Sequence, residues 1–361
     1  MFTIRNSFRK VAVVGAAIAV LATPIQADAA AKEIKLTVLS GYSAKASWVR
    51  VFKSFWMPEV NQELAKKGNY KIKFNEAFGT IVKPRGEFEG TRKGLGDIGI
   101  IVSVFHPDKV PLTGISFVTP FVSTDLLLNA KVHDELTYKF PKMKGNWDKY
   151  NMEFLGHMAG IKNYAVMSRK PIRSLGDFKG LKIGGAGLNL RWVEGLGATG
   201  VPSALNKFYN DTKTGVYDGM IAWADAAKSF KLCEAGPYYL DAPMGAVTSW
   251  AVTVNKNKWK KLPKEVQDVM RTTTTRYRDE FARITSAGHI TGIEDCKNQG
   301  GKIFKMPDSE VKKWVMGLPP IAKQWAQSID KKGLPGTEVL KAYMDIMRKN
   351  NQPIIRHWDR D

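Results

Sequence analysis

A chain of 361 residues with 44% hydrophobic residues is longer than one hydrophobic core usually serves, so we expect two domains. The formal net charge of +21 would suit a nucleic acid partner, but the lysines and arginines are scattered and no nucleic-acid-binding module is recognisable. We therefore predict a solvated basic surface and no nucleic acid partner. Such a surface would also raise the rate of encounter with anionic solutes.

The N-terminus has the features of an export signal. Basic residues precede an apolar run at 11–25, and the small residues Ala27 and Ala29 follow that run, as in a signal peptide with an A-x-A cleavage site. The run is shorter than the roughly 20 residues that a bilayer span requires, and Pro24 would interrupt an uncleaved anchor helix. We predict that residues 1–29 are a signal peptide cleaved after Ala29, and that the mature chain is exported to the periplasm without inserting into the membrane.

The cysteines and histidines allow few kinds of site. Cys233 and Cys296 are the only two cysteines, and an exported chain meets an oxidising compartment. The sequence does not show whether their Cα atoms come within bridging distance, so a disulfide between them stays an open question. The five histidines lie far apart without the spacing of metal ligands, and we predict no metal and no cofactor.

Strands and helices alternate in the first third of the chain. Alternating or continuous apolar runs predict strands, and apolar residues at helical spacing predict helices. The predicted order is β-α-β-α-β, with strands at 33–39, 70–74 and 97–104 and helices at 46–64 and 86–93. The first helix contains Pro58 and should be broken there. The run at 97–104 is apolar throughout, which is typical of a buried parallel strand.

The same alternation restarts in the second third and gives way to helices at the end. Further strands are predicted at 151–155, 164–167, 181–183 and 250–254, followed by a long amphipathic helix at 264–298 and two or three helices within 307–350. We predict an α/β fold with two lobes, a cleft between them, crossover strands and long C-terminal helices. Lobe I would comprise 32–157 plus about 247–285, and lobe II 158–246 plus about 286–361.

A glycine-rich turn follows the predicted strand at 181–183. It contains Gly184, Gly185 and Gly187, but Leu190 stands where a dinucleotide-binding turn needs its third glycine. The turn would either hold an anion on its backbone N–H groups or be a tight turn without a ligand. The sequence also lacks the nucleophile and zinc motifs of common hydrolases. We predict that the chain is not an enzyme.

Several segments resemble a known family when they are taken in order. The matching segments are 171–183, 195–202, 209–219 and 255–263, with looser matches at 78–79 and 94–98. Residues 171–183 read P-I-R-S-L-G-D-F-K-G-L-K-I, and 255–263 read N-K-N-K-W-K-K-L-P. In these segments the chain resembles the substrate-binding proteins of TRAP (tripartite ATP-independent periplasmic) transporters.

The resemblance implies two α/β lobes that close around one ligand, usually a carboxylate. It also implies delivery of a small organic acid to a TRAP membrane permease that is driven by an ion gradient. Three other functions stay open: a ligand sensor that serves a signalling receptor, a binder of a neutral solute, and a hydrolase or lyase on the same frame. The last would require a base and a nucleophile, and the sequence presents no such pair.

The chain departs from the family at the residues that grip the carboxylate. The family's arginine directly after the L-K-I strand is Gly184 here, and a second family arginine corresponds to Lys162. A guanidinium makes paired charge-assisted hydrogen bonds, whereas a glycine side chain makes none. The arrangement we favour places the carboxylate on Lys162 and on the N–H groups around Gly185, with room for a bulkier acid, including an aromatic one. Alternatively, Arg191 folds back into the cleft, or the ligand is neutral.

Aromatic side chains stand at several expected cleft loops. Tyr42 follows the first strand, Phe105 follows the third, and Trp223 and Trp250 lie near the later strands. A ring stacked on a ligand contributes about 0.5–1.5 kcal/mol beyond area burial, so these residues favour an aromatic or amphipathic ligand. Ser103 lies where the family often places a polar contact, and we predict that it offers a hydroxyl group.

Overall fold

The computed structural model describes residues 1–3 and 31–360. The predicted signal peptide and its cleavage site at Ala29 therefore lie outside the described residues, apart from the first three positions. Within the described part of the chain, no helix combines the length and the apolar character that crossing a membrane would require.

The described residues contain two β-sheets. Their strands are β1 (Lys32–Ser40), β2 (Tyr70–Phe78), β3 (Ile98–Val102), β4 (Met152–Ile161), β5 (Tyr164–Ser168), β6 (Lys182–Gly185), β7 (Thr199–Pro202), β8 (Gly219–Trp223), β9 (Tyr238–Asp241), β10 (Val247–Asn255) and β11 (Lys302–Lys305). The first sheet has the order β2-β1-β3-β10-β4 and the second has the order β11-β9-β5-β8-β6-β7. Each sheet with the helices packed on it is called a lobe below, and the predicted α/β fold is confirmed.

Helices separate most of these strands and dominate the C-terminal third. The α-helices are α1 (Ser47–Val51), α2 (Met57–Ala65), α3 (Glu87–Lys93), α4 (Ile115–Val118), α5 (Leu126–Lys139), α6 (Pro141–Lys149), α7 (Leu205–Lys213), α8 (Ala224–Phe230), α9 (Leu232–Ala235), α10 (Lys256–Trp259), α11 (Lys264–Asn298), α12 (Asp308–Gly317), α13 (Ile321–Asp330) and α14 (Gly336–Lys349). Short 3-10 helices occur at Ser103–Phe105, Pro111–Gly114, Leu175–Phe178 and Gly187–Val193.

The predicted helix at 46–64 is present but changes its winding. A π-helical turn at Phe52–Trp56 joins α1 to α2, and Pro58 lies in the first turn of α2. The backbone stays helical through Trp56 and Met57, so the helix changes its winding just before the proline and continues instead of breaking.

Two strands carry the chain between the sheets. In the first sheet β3 is parallel to β1, whereas β10 is antiparallel to both β3 and β4. The chain leaves this sheet at the end of β4, forms β5 to β9 in the second sheet, and returns in β10. The predicted lobe boundary between residues 157 and 158 falls inside β4. The division of the remaining chain between the lobes stays a prediction.

Helix α11, which confirms the helix predicted at 264–298, contacts both lobes. The first half of α11 contacts the first lobe. There the Trp56 indole N–H donates to the Thr274 hydroxyl at 2.9 Å, and the Tyr277 hydroxyl donates to the carbonyl of Trp48 at 3.0 Å. Near its other end, Gly292 packs so tightly on α8 that an added Cβ would lie 2.2 Å from the Ala224 carbonyl oxygen. One helix therefore buttresses both sheets.

A disulfide joins the end of α11 to the second lobe. Cys233 in α9 and Cys296 in α11 are bonded, with their Cα atoms 5.4 Å apart. The question that the sequence left open is answered by this pairing, which links positions 63 residues apart.

Candidate functional site

A small cavity lies between the two sheets and is lined by residues from both lobes. Val102 and Trp250 come from the first sheet, and Tyr164, Ile221 and Trp223 come from the second. Its free space of about 30 Å³ exceeds the roughly 10–15 Å³ that one water needs. The lobes are therefore closed on one another in this structure, and a ligand with a six-membered ring would need the lining to move apart.

Seven aromatic residues line this cavity. We call the five that contact one another the aromatic box: Tyr42, Trp48, Tyr164, Trp223 and Trp250. The ring centroids of Trp48 lie 4.8 Å from those of Trp250, 5.0 Å from Tyr42 and 6.5 Å from Trp223. Tyr164 and Trp223 make an edge-on contact at 5.7 Å. These separations are typical of interacting aromatic pairs, so the box is a continuous aromatic surface contributed by both lobes.

Strand ends and the first helix hold these rings in place. Tyr164 and Trp223 are paired across the antiparallel strands β5 and β8, which places their side chains on one face of the sheet. Trp250 is paired with Val102 across β10 and β3. Trp48 lies in α1, shortly after β1 ends.

The cavity presents hydrogen bond donors that have no acceptor. The indole N–H groups of Trp48, Trp223 and Trp250 and the amide nitrogen of Asn189 are buried and have no hydrogen bond partner among the described residues. The Asn189 oxygen accepts a hydrogen bond from the Ala186 N–H at 2.9 Å, which leaves its NH₂ group as the free donor. A buried donor without a partner costs about 1–3 kcal/mol, so four of them around one cavity favour a ligand that brings acceptors.

A charged loop lies beside the cavity, between β2 and α3. The Arg85 guanidinium lies over the Phe105 ring, 4.6 Å from its centroid, and Nη2 is 3.5 Å from the Ser203 carbonyl oxygen of the other lobe. Burial raises the pKa of Glu87 to about 7, although nearby backbone N–H groups and Arg85 oppose that rise. Burial, and then the Glu87 carboxyl, raise the pKa of Tyr42.

Three of the predicted site residues line this cavity. Tyr42, Phe105 and Trp223 are all part of its wall, as is Trp250. Their contact with a ligand stays a prediction.

Gly184 and Gly185 are not part of the cavity wall. A Cβ atom at Gly184 would lie 2.7 Å from the Tyr217 ring, and Gly185 accepts a hydrogen bond from the Ser203 N–H at 2.8 Å. The neighbouring Ala186 N–H is already bonded to Asn189. The predicted room beside Gly184 is therefore filled by an aromatic ring, and the Ala186 N–H is not free to bind an anion. Anion binding by the other N–H groups of this turn stays a prediction.

Lys162 does not reach the cavity. It lines a separate groove with Asp125 and Asp279, whereas its neighbour Ile161 lines the cavity. Lys162 follows the last residue of β4 and lies outside both neighbouring strands, and its side chain lines that groove instead of the cavity. The arrangement we favoured from the sequence, with Lys162 in the cleft, needs this correction.

Arg191 and Ser103 also have other partners. Arg191 binds the Glu194 carboxylate at 3.0 Å and the Gln324 side-chain oxygen at 2.6 Å, so it does not fold back into the cleft. The Ser103 hydroxyl donates to the Ser249 carbonyl at 3.0 Å, and this bond ties the end of β3 to β10. Neither residue lines the cavity.

Sequence reasoning missed four residues that shape the site: Trp48, Tyr164, Asn189 and Arg85. Trp48 was interpreted only as part of the apolar face of a helix. Tyr164 begins the strand predicted at 164–167 and Asn189 follows the glycine-rich turn, and these positions were the available signal. The described residues contain no cluster of histidine, cysteine or carboxylate groups that could hold a metal ion.

Comparisons with known proteins agree with this architecture. The DctP family, described as bacterial extracellular solute-binding proteins of family 7, matches residues 45–329. The sialic acid-binding periplasmic protein SiaP of Vibrio cholerae is 24% identical over 200 residues, which cover 55% of this chain and 58% of that protein. This match thus spans less than two thirds of the curated relative.

Solved structures match over nearly their whole length. A TRAP solute-binding protein from an unidentified marine microbe, described as specific for aromatic acid ligands and crystallised with 3-hydroxybenzoate, has a TM-score of 0.76 at 22% identity, covering 88% of this chain and 99% of its own. One from Bordetella bronchiseptica with bound mandelate has a TM-score of 0.75 at 22% identity, with the same coverage of 88% and 99%. The two-sheet fold, the interlobe cavity and the family match lead to one conclusion: this chain belongs to the family 7 extracellular solute-binding proteins, the substrate-binding proteins of TRAP transporters.

Proposed function

We propose that this chain captures a small organic acid with a flat apolar body, such as an aromatic ring, in the cavity between its lobes. The capture takes place in the periplasm after cleavage of the signal peptide. The bound acid is then delivered to a TRAP membrane permease driven by an ion gradient, and the chain itself catalyses no reaction.

The observation that carries this proposal is the composition of the cavity wall. Aromatic faces surround a narrow space between the lobes, and a flat ring would enter it with the smallest movement of that lining. The unpartnered buried groups of this wall are N–H donors, from Trp48, Trp223, Trp250 and Asn189. A ligand that satisfies both features has a ring or a short apolar body and oxygen acceptors, as an organic acid does.

The relatives add support from another direction. The marine and Bordetella proteins were crystallised with 3-hydroxybenzoate and mandelate, which both join a benzene ring to a carboxylate. The net charge of +21 would favour the approach of such anions. Membership of the family supports the proposed delivery to a permease and the proposed location in the periplasm.

A thermal-shift screen of the chain from residue 30 onward tests the proposal. Each aromatic acid would be compared with an aliphatic acid and with its own primary amide, which keeps the shape and removes the charge. A ligand at 100 times its Kd adds about 2.7 kcal/mol of stability, and we expect this shift for at least one aromatic acid. A shift with amides alone would support a neutral solute, and accumulation of product beyond one equivalent of protein would show an enzyme.

A further inference from the structure

The charges around the cavity are distributed unevenly. Among the described residues that line the cavity itself there is no lysine or arginine. A second, larger groove of about 570 Å³ runs between the two lobes and is lined by Lys83, Arg85, Ser203, Lys207 and Tyr217, among others. This outer groove carries the positive charge that the inner cavity lacks.

Arg85 stands where the two spaces meet. Its side chain lines the outer groove, and its guanidinium lies over Phe105, whose ring lines the inner cavity. Phe105 therefore lies between the cavity and the guanidinium, and a ligand that contacts both must pass this ring when the lining moves apart. Because Ser203 belongs to the other lobe, the guanidinium also lies at the line where the lobes meet.

The guanidinium uses little of its bonding capacity. Of its five N–H donors, the described residues provide an acceptor for one, the Ser203 carbonyl oxygen, at the long distance of 3.5 Å. The backbone of Arg85 has a φ of 78°, a left-handed conformation that is uncommon for a residue other than glycine. A strained backbone that presents an underused guanidinium at a ligand cavity is typical of a binding position.

The cavity itself is less suited to a charged acid group than the outer groove is. The space beside Gly184 is filled by Tyr217, and the side chains of Lys162 and Arg191 lie elsewhere. A carboxylate buried among indole rings without a cation would carry a large desolvation cost. The inner N–H donors are better matched to a neutral oxygen, such as a ring hydroxyl or carbonyl group.

Resting on the proposed function, we infer that Arg85 binds the ligand's acid group, so that the ligand lies with its ring in the aromatic box and its carboxylate at the outer groove. This orientation places the acid group away from Gly184, the position of the family's arginine. The ligand class is then an aromatic acid with a hydroxyl or carbonyl substituent opposite the acid group.

Calorimetric titration of two Arg85 variants tests this orientation. The probe is the aromatic acid of the thermal-shift panel with the largest effect, together with its primary amide. Arg85→Gln and Arg85→Gly both remove the cation, and glycine also suits the positive φ, so the Arg85→Gly chain should melt no lower than the parent chain. We expect both variants to lose at least fivefold in affinity for the acid and less than twofold for the amide.

Arg92→Gln is the matched control, because Arg92 is also an arginine near this loop but is bound to Glu89 at 2.7 Å and lines neither the cavity nor the outer groove. It should leave the affinity for the acid within twofold. Unchanged affinity of the Arg85 variants for an acid that the parent chain binds would overturn the inference and leave the proposed function intact. If the parent chain binds no acid of the panel, the proposed function fails and the inference fails with it.

Discussion

The Tyr217 ring lies 2.7 Å from the position that a Cβ atom at Gly184 would occupy. Real Cβ atoms do not approach other atoms so closely, so the ring and the glycine depend on each other. The space that a side chain at position 184 would need is thus occupied by the Tyr217 ring.

Replacing Gly184 by alanine should therefore lower stability, by about 1–3 kcal/mol as in other overpacked cores. Chemical denaturation followed by circular dichroism would measure the change. Gly145→Ala is the matched control, since Gly145 lies in α6 with no atom within 4 Å of its would-be Cβ. That control should be neutral or slightly stabilising because alanine favours a helix over glycine. Equal melting of both variants would show that Tyr217 can move aside freely.

Trp223→Phe should weaken binding of the aromatic acid without a matching loss of stability. The change keeps a ring and removes an N–H group that has no partner in the free chain, so we expect about a tenfold weaker Kd, or about 1.4 kcal/mol. Trp56→Phe is the control, because Trp56 is buried away from the cavity and its N–H is bonded to Thr274 at 2.9 Å. It should lower stability and leave Kd unchanged. Calorimetry would measure Kd, and thermal melting would measure stability. A Trp223→Phe chain that melts lower but keeps its Kd would contradict the role of the free donors.

Glu87 should make the ligand-free chain less stable as pH rises from about 4.5 to about 7. Burial raises its folded pKa to about 7, above the usual 4.5 of a glutamate, so in this range the unfolded chain loses a proton that the folded chain keeps. The ionised form is thus penalised in the folded state, by at most about 3 kcal/mol above pH 7. Unfolding free energies at several pH values would show a smaller decline for Glu87→Gln. The control is Glu89→Gln on the same helix, and its unfolding free energy should decline with pH as much as that of the parent chain.

Removing the disulfide with the double change Cys233→Ser and Cys296→Ser should destabilise the chain. Closing a loop between positions 63 residues apart removes unfolded-state entropy worth about 4 kcal/mol by the loop-entropy relation. Urea unfolding would show a lower midpoint, and the affinity for the ligand should stay the same because neither cysteine lines the cavity. An unchanged midpoint would mean that the unfolded chain is held compact by other contacts.

The elements of the fold were largely predictable because each carries a local signal. The helix predicted at 264–298 has the observed bounds of α11, and the strands predicted at 33–39, 70–74 and 97–104 all exist, with ends shifted by a few residues. Helices α5 and α6 were not predicted. Helix α5 ends at Lys139 and α6 begins at Pro141. The many polar residues of both helices obscure any single apolar stripe in the sequence.

The site was predictable only in part, because its geometry depends on contacts between distant segments. Tyr42, Phe105 and Trp223 could be placed near a cleft since they follow strands. The residues next to Gly184 in the sequence do not indicate that Tyr217 fills the space beside it. Lys162 was placed in the cleft by alignment with a family arginine, and the direction of its side chain is set by how β4 ends.

Helix α11 is fastened to the first lobe near Tyr277 and to the second lobe at Gly292, where it packs directly on the backbone of Ala224. If the lobes separate to admit a ligand, these two points must move relative to each other. The helix between them must then bend, or one set of contacts must slide. The stiffness of one helical segment therefore sets part of the energy of opening, and a helix-softening change such as Ser286→Gly should alter the kinetics of ligand entry from outside the cavity.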